Sequence, residues 1–530
     1  MDSITGAQPD HRRRLNLAAV VVGVLLLSGA CSSTTETDGS AATTVRGTTG
    51  AAPRASFASA PCPVIYPGVP TVDVKPGSEC GYLTVPEDRS KADGRTIRLL
   101  TVRMTSGSPN PKPDPVVYLS GGPGGPPFFT RAPKEWALDR DVILLTQRGN
   151  MHSDPHLTCV ETDSFYAEDV SVGVEIPRAA EMSAAAAQTC RERLTKDGWD
   201  LAAYTSAESA ADVADLREAL ALEQYNIFGL SYGTDLALQV LRDHPEGIRS
   251  VILDSVLPPQ VNMLDVGWTS AASSFNAIFD GCAAQAACAA AFPDVRNEFT
   301  TLVNELSARP RTIAVTDPTT GKKTDVVIDG YQLASGLVVA AAQNGGLAEV
   351  PLLIHNLATG DGSLAAAALL ASPAPPNITS YGLQFGVICG EWNSRTSEQQ
   401  ITDAGKKALP GFPEAVISFP AQVPFIRTDC EKWNMPAAAP SVSAPTASDV
   451  PVLMGSGTFD SATPPAFAAE AAKTLPNAIN LTFPGAGHGL ADDPASKECF
   501  TKVMANFLDQ PTGFDHSCVQ TLKIPAFRTS

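Results

Sequence analysis

The stretch Gly229-Leu230-Ser231-Tyr232-Gly233 narrows most sharply what this chain can become. It follows Tyr225–Phe228 (YNIF), read as a short strand. It precedes Thr234–Asp243, whose spacing predicts a helix. A serine between two glycines at a strand-to-helix junction calls for a tight turn with the serine backbone outside its ordinary range. Side chains at the flanking positions would strike the strand and the helix. Such a turn lifts the hydroxyl to the carboxyl edge of a sheet and aims a helix N-terminus at negative charge developing there. The five-residue spacing recurs by chance, and it is the strand–turn–helix context that gives it weight.

The surrounding pattern supports that context. Thr96–Thr105 (TIRLLTVRMT) and Pro115–Leu119 read as strands, and Asp141–Thr146 is the continuous apolar run of a strand covered on both faces. Ser206–Leu222 has helical spacing and opens with a capping residue, Ser206. Ser250–Leu253 is a further strand. After Pro258-Pro259 the texture changes to an Ala-rich, mostly helical segment, 261–445, with Pro-rich breaks. Val450–Met454 and Ala478–Phe483 restore the strand pattern. Strands alternating with helices favour a parallel α/β sheet. We read 61–260 and 446–530 as two parts of one α/β core and 261–445 as a helical cap inserted between them. Two tandem domains are the alternative, but they leave unexplained why the chemistry lies on both sides of the insertion.

A serine nucleophile needs a base. Of seven histidines, His355, His488 and His516 lie well downstream of Ser231. His488 stands in the glycine-flanked loop Pro484–Gly489 after a strand, whereas His355 reads as a packed helix residue and His516 lacks a strand–loop setting. Asp460, in the loop after Val450–Gly455, is the expected acid, and Asp254, which also ends a strand, is its rival. The order Ser231, Asp460, His488 is that of the α/β-hydrolase fold, here with a mostly parallel sheet and a large, mainly helical cap before the acid-bearing strand. An oxyanion hole requires two backbone donors. Tyr232, next to the nucleophile, supplies one. Gly122 in Ser120–Gly125 (SGGPGG) supplies the other, with Gly121 close behind. The chain shows neither Cys-x-x-Cys nor paired His-Cys spacing, so no metal is expected, and no cofactor.

The N-terminal end speaks to compartment. Arg12–Arg14 precede the apolar run Leu15–Leu27, which is short of the about 20 residues a bilayer span needs. Leu27-Ser28-Gly29-Ala30-Cys31 then resembles a lipobox, with Cys31 as the lipidated residue of an export signal covering 1–31. Residues 32–60, rich in Ser, Thr, Ala and Gly, read as a flexible tether. Setting Cys31 aside from eleven cysteines leaves ten: Cys62, Cys80, Cys159, Cys190, Cys282, Cys288, Cys389, Cys430, Cys499 and Cys518. An even number in an exported chain suggests disulfides, and pairing in chain order is one hypothesis among many. The net charge of −18 offers no electrostatic footprint for nucleic acid. Membrane contact is expected through the N-terminal anchor alone, and the chain is read as a monomer, extracytoplasmic and either anchored or secreted.

With these residues in hand, the chain resembles the exported tripeptidyl aminopeptidases of actinobacteria, relatives of the proline iminopeptidases. The resemblance spans roughly 61–525. It is carried by SGGPGGP at 120–126, TQRGNMHSDP at 146–155, GLSYGT at 229–234, LDSVLPP at 253–259, the Asp460–Pro464 segment and GAGHG at 485–489, with Cys499 and Cys518 in the closing segment. Thr146 and Asn150-Met151-His152 depart from the family pattern, in a loop expected to line the approaches to the site. The resemblance implies an exopeptidase that reads a free amino group with carboxylates of the cap, and places Glu391 in that role. A broad esterase or lipase with the same triad is a second reading, and a non-catalytic envelope-binding lipoprotein a third. Peptides or small esters are the expected substrates. Epoxide hydrolases and dehalogenases place aspartate at the elbow, where this chain has Ser231. If Cys31 carries the anchor, Cys31→Ala releases the protein from the membrane fraction or blocks its processing. Unchanged fractionation with an unmodified N-terminus refutes this.

Overall fold

The computed structural model describes residues 55–63, 77–126, 134–172, 176–316, 321–342, 346–370 and 377–530. The expected export signal over 1–31, with Cys31, lies outside the described residues. Strands are β1 (Ser56–Ser59), β2 (Glu79–Pro86), β3 (Thr96–Met104), β4 (Val116–Leu119), β5 (Val142–Leu145), β6 (Tyr225–Leu230), β7 (Ile248–Asp254), β8 (Arg311–Thr316), β9 (Lys323–Ile328), β10 (Val452–Gly457) and β11 (Ala478–Phe483). Four helices matter below: α1 (Ser206–Ala219), α2 (Tyr232–Asp243), α3 (Met263–Ala283) and α4 (Ile426–Trp433).

Among the described residues, nine strands form one sheet in the order β1-β2-β3-β5-β4-β6-β7-β10-β11. The first strands pair antiparallel, and from β5 to β11 every neighbour is parallel. Period-two alternation divides the strand side chains between two cores. Val117, Leu119, Ile143 and Ile227 belong to one. Val116, Tyr118, Val142, Leu144 and Phe228 belong to the other. Both faces of β4 and β5 are therefore covered, as their unbroken apolar runs require. Each fully buried Val, Leu or Ile contributes roughly 1.5–3 kcal/mol, so these short strands are anchored from both sides.

The segment between β7 and β10 adds no strand to this sheet among the described residues. It builds its own core around Trp268, Phe275, Phe299, Val303 and Ile354. It also contains an antiparallel ribbon, β8–β9, that the reading of a helical insertion did not include. β8 alternates half-buried and exposed positions, β9 buries only Val326 and Ile328, and both carry charged residues, so their apolar runs of three are too short to stand out.

Two sequence expectations need correction. The tether was drawn to residue 60, yet Ser56–Ser59 already form the edge strand β1, paired with β2. Averaged composition hides this, because edge pairing uses backbone groups. Its one large side chain, Phe57, packs where Gly81 has none: a Cβ there would sit 2.3 Å from the ring. The second concerns α1, whose N-cap is Thr205, accepting from the Glu208 amide, and not Ser206. Ser206 is thereby free for another task.

Ten cysteines form five disulfides, each joining consecutive members: Cys62–Cys80, Cys159–Cys190, Cys282–Cys288, Cys389–Cys430 and Cys499–Cys518. Such a set is consistent with an oxidising, extracytoplasmic compartment. No helix of the described residues is long and apolar enough to cross a membrane. The Cys389–Cys430 bridge, with a sequence separation of 41, ties the π-helical turn Ile388–Trp392 to α4. Loop-closure entropy predicts that the double variant Cys389→Ser/Cys430→Ser loses about 2–4 kcal/mol. A chemical denaturation midpoint equal to that of the unaltered protein contradicts this.

Candidate active site

β6 ends at Leu230, and Ser231 follows with φ 58° and ψ −125°, outside the ordinary regions for a residue with a side chain. The turn is held at both of its peptide groups. The Ser231 amide donates to the Asp254 carbonyl at 3.0 Å, and the Ser231 carbonyl accepts from the Thr234 amide at 2.8 Å. The flanking glycines are required by close approach. A Cβ at Gly229 would lie 2.4 Å from the Gly233 carbonyl oxygen, and one at Gly233 would lie 2.1 Å from the Leu119 carbonyl oxygen.

Asp460 lies in the loop after β10 and is fully buried. Its Oδ1 accepts from the amides of Ala462 and Thr463, both at 2.8 Å. Its Oδ2 accepts from Thr463 Oγ1 at 2.7 Å and lies 2.9 Å from His488 Nδ1. Thr463 Oγ1 is also 3.2 Å from His488 Nδ1. Burial alone raises a carboxyl and lowers an imidazole. Here the pair overrides it. Asp460 ends below its ordinary range through the charge and hydrogen bond of His488, with Thr463 adding to the effect. His488 ends above its own, through the Asp460 charge and hydrogen bond and, less, the Asp254 charge. That arrangement orients one imidazole tautomer and stabilises its protonated form.

Asp254, the rival acid, makes no hydrogen bond to the imidazole. Its carboxylate accepts the amides of Leu490 at 2.8 Å and Ala491 at 3.1 Å, just past His488. Ser255 Oγ accepts the Gly489 amide at 2.8 Å, and Asp493 accepts the Gly487 amide at 2.8 Å. The loop bearing His488 is thus pinned through its backbone. Burial pushes the Asp254 carboxyl up to about 6, against the pull of those amides.

Ser231, Tyr232 and Gly122 line one cavity with Ala462 and Thr463 of the Asp460 loop. The opposite wall is supplied by the inserted segment. The Tyr232 amide opens α2, where helix N–H groups are unpaired and the dipole favours negative charge. Tyr232 is anchored at its other end. Its hydroxyl lies 2.8 Å from Ser206 Oγ, which donates at 2.7 Å to Glu391. The other Glu391 oxygen accepts the Ser206 amide at 2.8 Å.

Glu391 therefore does not stand on the cavity wall, where the family resemblance implied a contact with substrate. The π-helical turn directs its neighbours Ile388 and Trp392 to the wall and turns Glu391 inward, 2% exposed, behind Tyr232. Burial pushes its carboxyl up to about 8. The loop 146–155 was expected to line the approaches and instead buttresses the glycine loop from behind. Gln147 Nε2 donates to the Ser120 carbonyl and Asn150 Nδ2 to the Gly125 carbonyl, each at 2.8 Å. Arg148, wholly buried, is clamped to Asp212 of α1 at 2.7 and 2.9 Å. The role of Thr463 was not foreseen; its only signal was its place three residues after Asp460. His355 pairs with Glu298, away from this site. Among the described residues, Cys159, Glu161 and Cys190 have the spacing of a metal cluster, but the two sulfurs are bonded to each other.

Comparison with known proteins places this geometry in context. The family model for the alpha/beta hydrolase fold matches residues 114–495. A tripeptidyl aminopeptidase of Streptomyces lividans is 31% identical over 217 residues, covering 38% of this chain and 39% of that relative. The match thus spans about two fifths of the relative's length. Serine protease Hip1 of Mycobacterium tuberculosis is 24% identical over 471 residues, covering 84% of this chain and 88% of that one. The solved proline iminopeptidase of Mycobacterium smegmatis aligns with a TM-score of 0.33 and 16% identity, covering 81% of this chain and 98% of that one.

If these residues act together, Ser231→Ala and His488→Ala each lower kcat by at least about 10³-fold in folded protein. Thr463→Ala lowers it by about tenfold, the worth of a hydrogen bond to a charged group, and Thr463→Ser restores it. His488 must be neutral to accept a proton. Its raised pKa therefore places the acid limb of kcat/KM above the about 6.5 of a free imidazole. Loss of activity as pH falls only below that value contradicts the assignment.

Proposed function

The chain belongs to the α/β-hydrolase fold family, and we propose that within it this protein is an exported serine hydrolase, an aminopeptidase that releases short peptides from free N-termini through an acyl-enzyme on Ser231. The observation that carries the serine-hydrolase reading is the Asp460–His488 contact at 2.9 Å beside the cavity that holds Ser231. The aminopeptidase reading is supported by the tripeptidyl aminopeptidase relative, and export by the disulfides.

In this mechanism Ser231 Oγ attacks the scissile carbonyl while His488 Nε2 takes the hydroxyl proton. The tetrahedral oxyanion is received by the backbone amides of Tyr232 and Gly122. Collapse breaks the C–N bond, and the imidazolium gives its proton to the departing amine. Water then repeats the sequence on the ester, returning Ser231 and the free acid. Asp460 remains ionised throughout and stabilises the imidazolium.

One observation favours an esterase as the second reading. The described cavity wall carries apolar side chains and neutral amides, without a carboxylate to receive an ammonium group. Tripeptide amides with free and with acetylated N-termini, assayed beside p-nitrophenyl esters, separate the two. An aminopeptidase loses at least about tenfold in kcat/KM on acetylation, because a group built for the ammonium is left unpaired. Equal cleavage of both peptides, or cleavage of esters alone, transfers the assignment to the esterase. Failure of a fluorophosphonate to label Ser231 in folded protein removes both and leaves the envelope-binding lipoprotein.

A further inference from the structure

We propose that Gly267 and Gln422, both on the wall of this cavity, determine which acyl group Ser231 accepts, and that the side chain next to the attacked carbonyl is bulky, apolar and uncharged. The proposal rests on the reading of Ser231 as the nucleophile.

Gly267 is the first observation. It lies inside α3, where glycine is less favourable than alanine. At two other helical glycines of the inserted segment packing excludes a side chain. A Cβ at Gly386 would meet the Tyr204 carbonyl oxygen at 2.0 Å, and one at Gly405 would meet Ile417 Cβ at 2.9 Å. At Gly267 nothing excludes a side chain. Its Cβ would meet Ala421 Cβ at 3.5 Å and the Ala421 amide nitrogen at 3.6 Å, ordinary contacts. Gly267 does, however, line the cavity. What the missing side chain provides there is room.

Gln422 is the second. It lines the same cavity, and its Nε2 is buried without a hydrogen-bond partner. An unmet buried donor is costly, and the cost is recovered when a guest supplies an acceptor. Most of the remaining wall is apolar, with Leu257, Leu264, Ile388 and Trp392, and Gln384 and Thr463 are polar members beside Ser231. A carbonyl oxygen one bond system away from an apolar side chain satisfies both features at once. A peptide presents that combination: the residue whose carbonyl is attacked puts its side chain toward Gly267, and the preceding peptide carbonyl accepts from Gln422.

The cavity takes the acyl side of the substrate and not the leaving group. It is lined by Ser231 and by the two residues expected to hold the oxyanion, Gly122 and Tyr232. His488, which protonates the leaving group, is not on its described wall.

The test uses the full-length enzyme and two substrate series with acyl residues Ala, Leu and Phe, one of tripeptide p-nitroanilides and one of p-nitrophenyl esters of the matching simple acids. In the unaltered enzyme kcat/KM rises from Ala to Phe in whichever series is cut. Gly267→Leu lowers the Phe-to-Ala ratio by at least about tenfold, the worth of a few methylenes in an apolar pocket. Gly267→Ala lowers it less, without lowering the melting temperature, so a folding defect does not mimic the effect. Gln422→Glu, close in size but without the donor, raises KM for the anilides and spares the simple esters, which lack the preceding carbonyl. A Phe-to-Ala ratio unchanged in Gly267→Leu, or equal KM effects of Gln422→Glu on both series, overturns the proposal. If esters alone are cut, the aminopeptidase reading fails while the ester series still decides the role of Gly267. If a fluorophosphonate does not label Ser231, the nucleophile reading and this proposal fall together.

Discussion

Asp254 holds two loops at once. Its main-chain oxygen accepts the amide of Ser231 at 3.0 Å, and its carboxylate accepts the amides of Leu490 and Ala491 beyond His488. The end of β7 is thereby the common support of a serine at the elbow of β6 and a histidine in the loop after β11. Ser255 reinforces it. It adopts φ 61°, a conformation a side chain rarely takes, and accepts the Gly489 amide. Strain at two adjoining turns is tolerated because parallel neighbours on both sides of β7 leave the strand end no other path. Precise placement of reacting groups demands such a frame, since catalysis suffers steeply from displacements of about 1 Å.

The electrostatics of the region follow from burial and from which carboxyl finds a cation. Four carboxyl groups, Asp235, Asp254, Glu391 and Asp460, are buried around Tyr232 and His488. Burial pushes Asp235 up to about 7 and Glu391 up to about 8. Asp460 alone goes down, because His488 is bonded to it. Environment thus separates four chemically similar groups into one whose ionised form the imidazole favours and three whose pKa burial raises. Ser206 joins Glu391 to the hydroxyl of Tyr232, the residue whose amide opens α2.

The inserted segment lines part of the cavity at Ser231 and, among the described residues, adds no strand to the large sheet. Its own apolar core and the Cys282–Cys288 and Cys389–Cys430 bridges give it internal order. Its helices bring Gly267, Ile388 and Gln422 to the cavity. The core supplies Gly122, Ser231, Tyr232 and Thr463 to the cavity wall and the insertion much of the rest, so a change in the insertion can alter the cavity while the elbow stays in place.

Much of this was legible in the residues themselves. Glycines around Ser231, the continuous apolar runs of β4 and β5, and Asp460 and His488 on loops after strands are local patterns, and local patterns survive folding because they state backbone requirements. The strand-poor composition of 261–445 likewise announced an interruption of the sheet. What escaped was non-local or unmarked. Phe57 finds its place only against Gly81, and the β8–β9 ribbon has too few buried positions to stand out. Glu391 lies in a π-helical turn, and which way that turn points its side chain depends on α1 packed behind it. Sequence named Asp460 as the acid and Asp254 as its rival; it could not give their distances to the imidazole, because Asp254 ends β7 and Asp460 follows β10, two strands that pair in parallel. Only the register of β7, β10 and β11 brings Asp460 to Nδ1 and Asp254 to the amides two residues further on. Chain order states what each loop can offer, whereas distances between loops are fixed by strand pairing across the sheet.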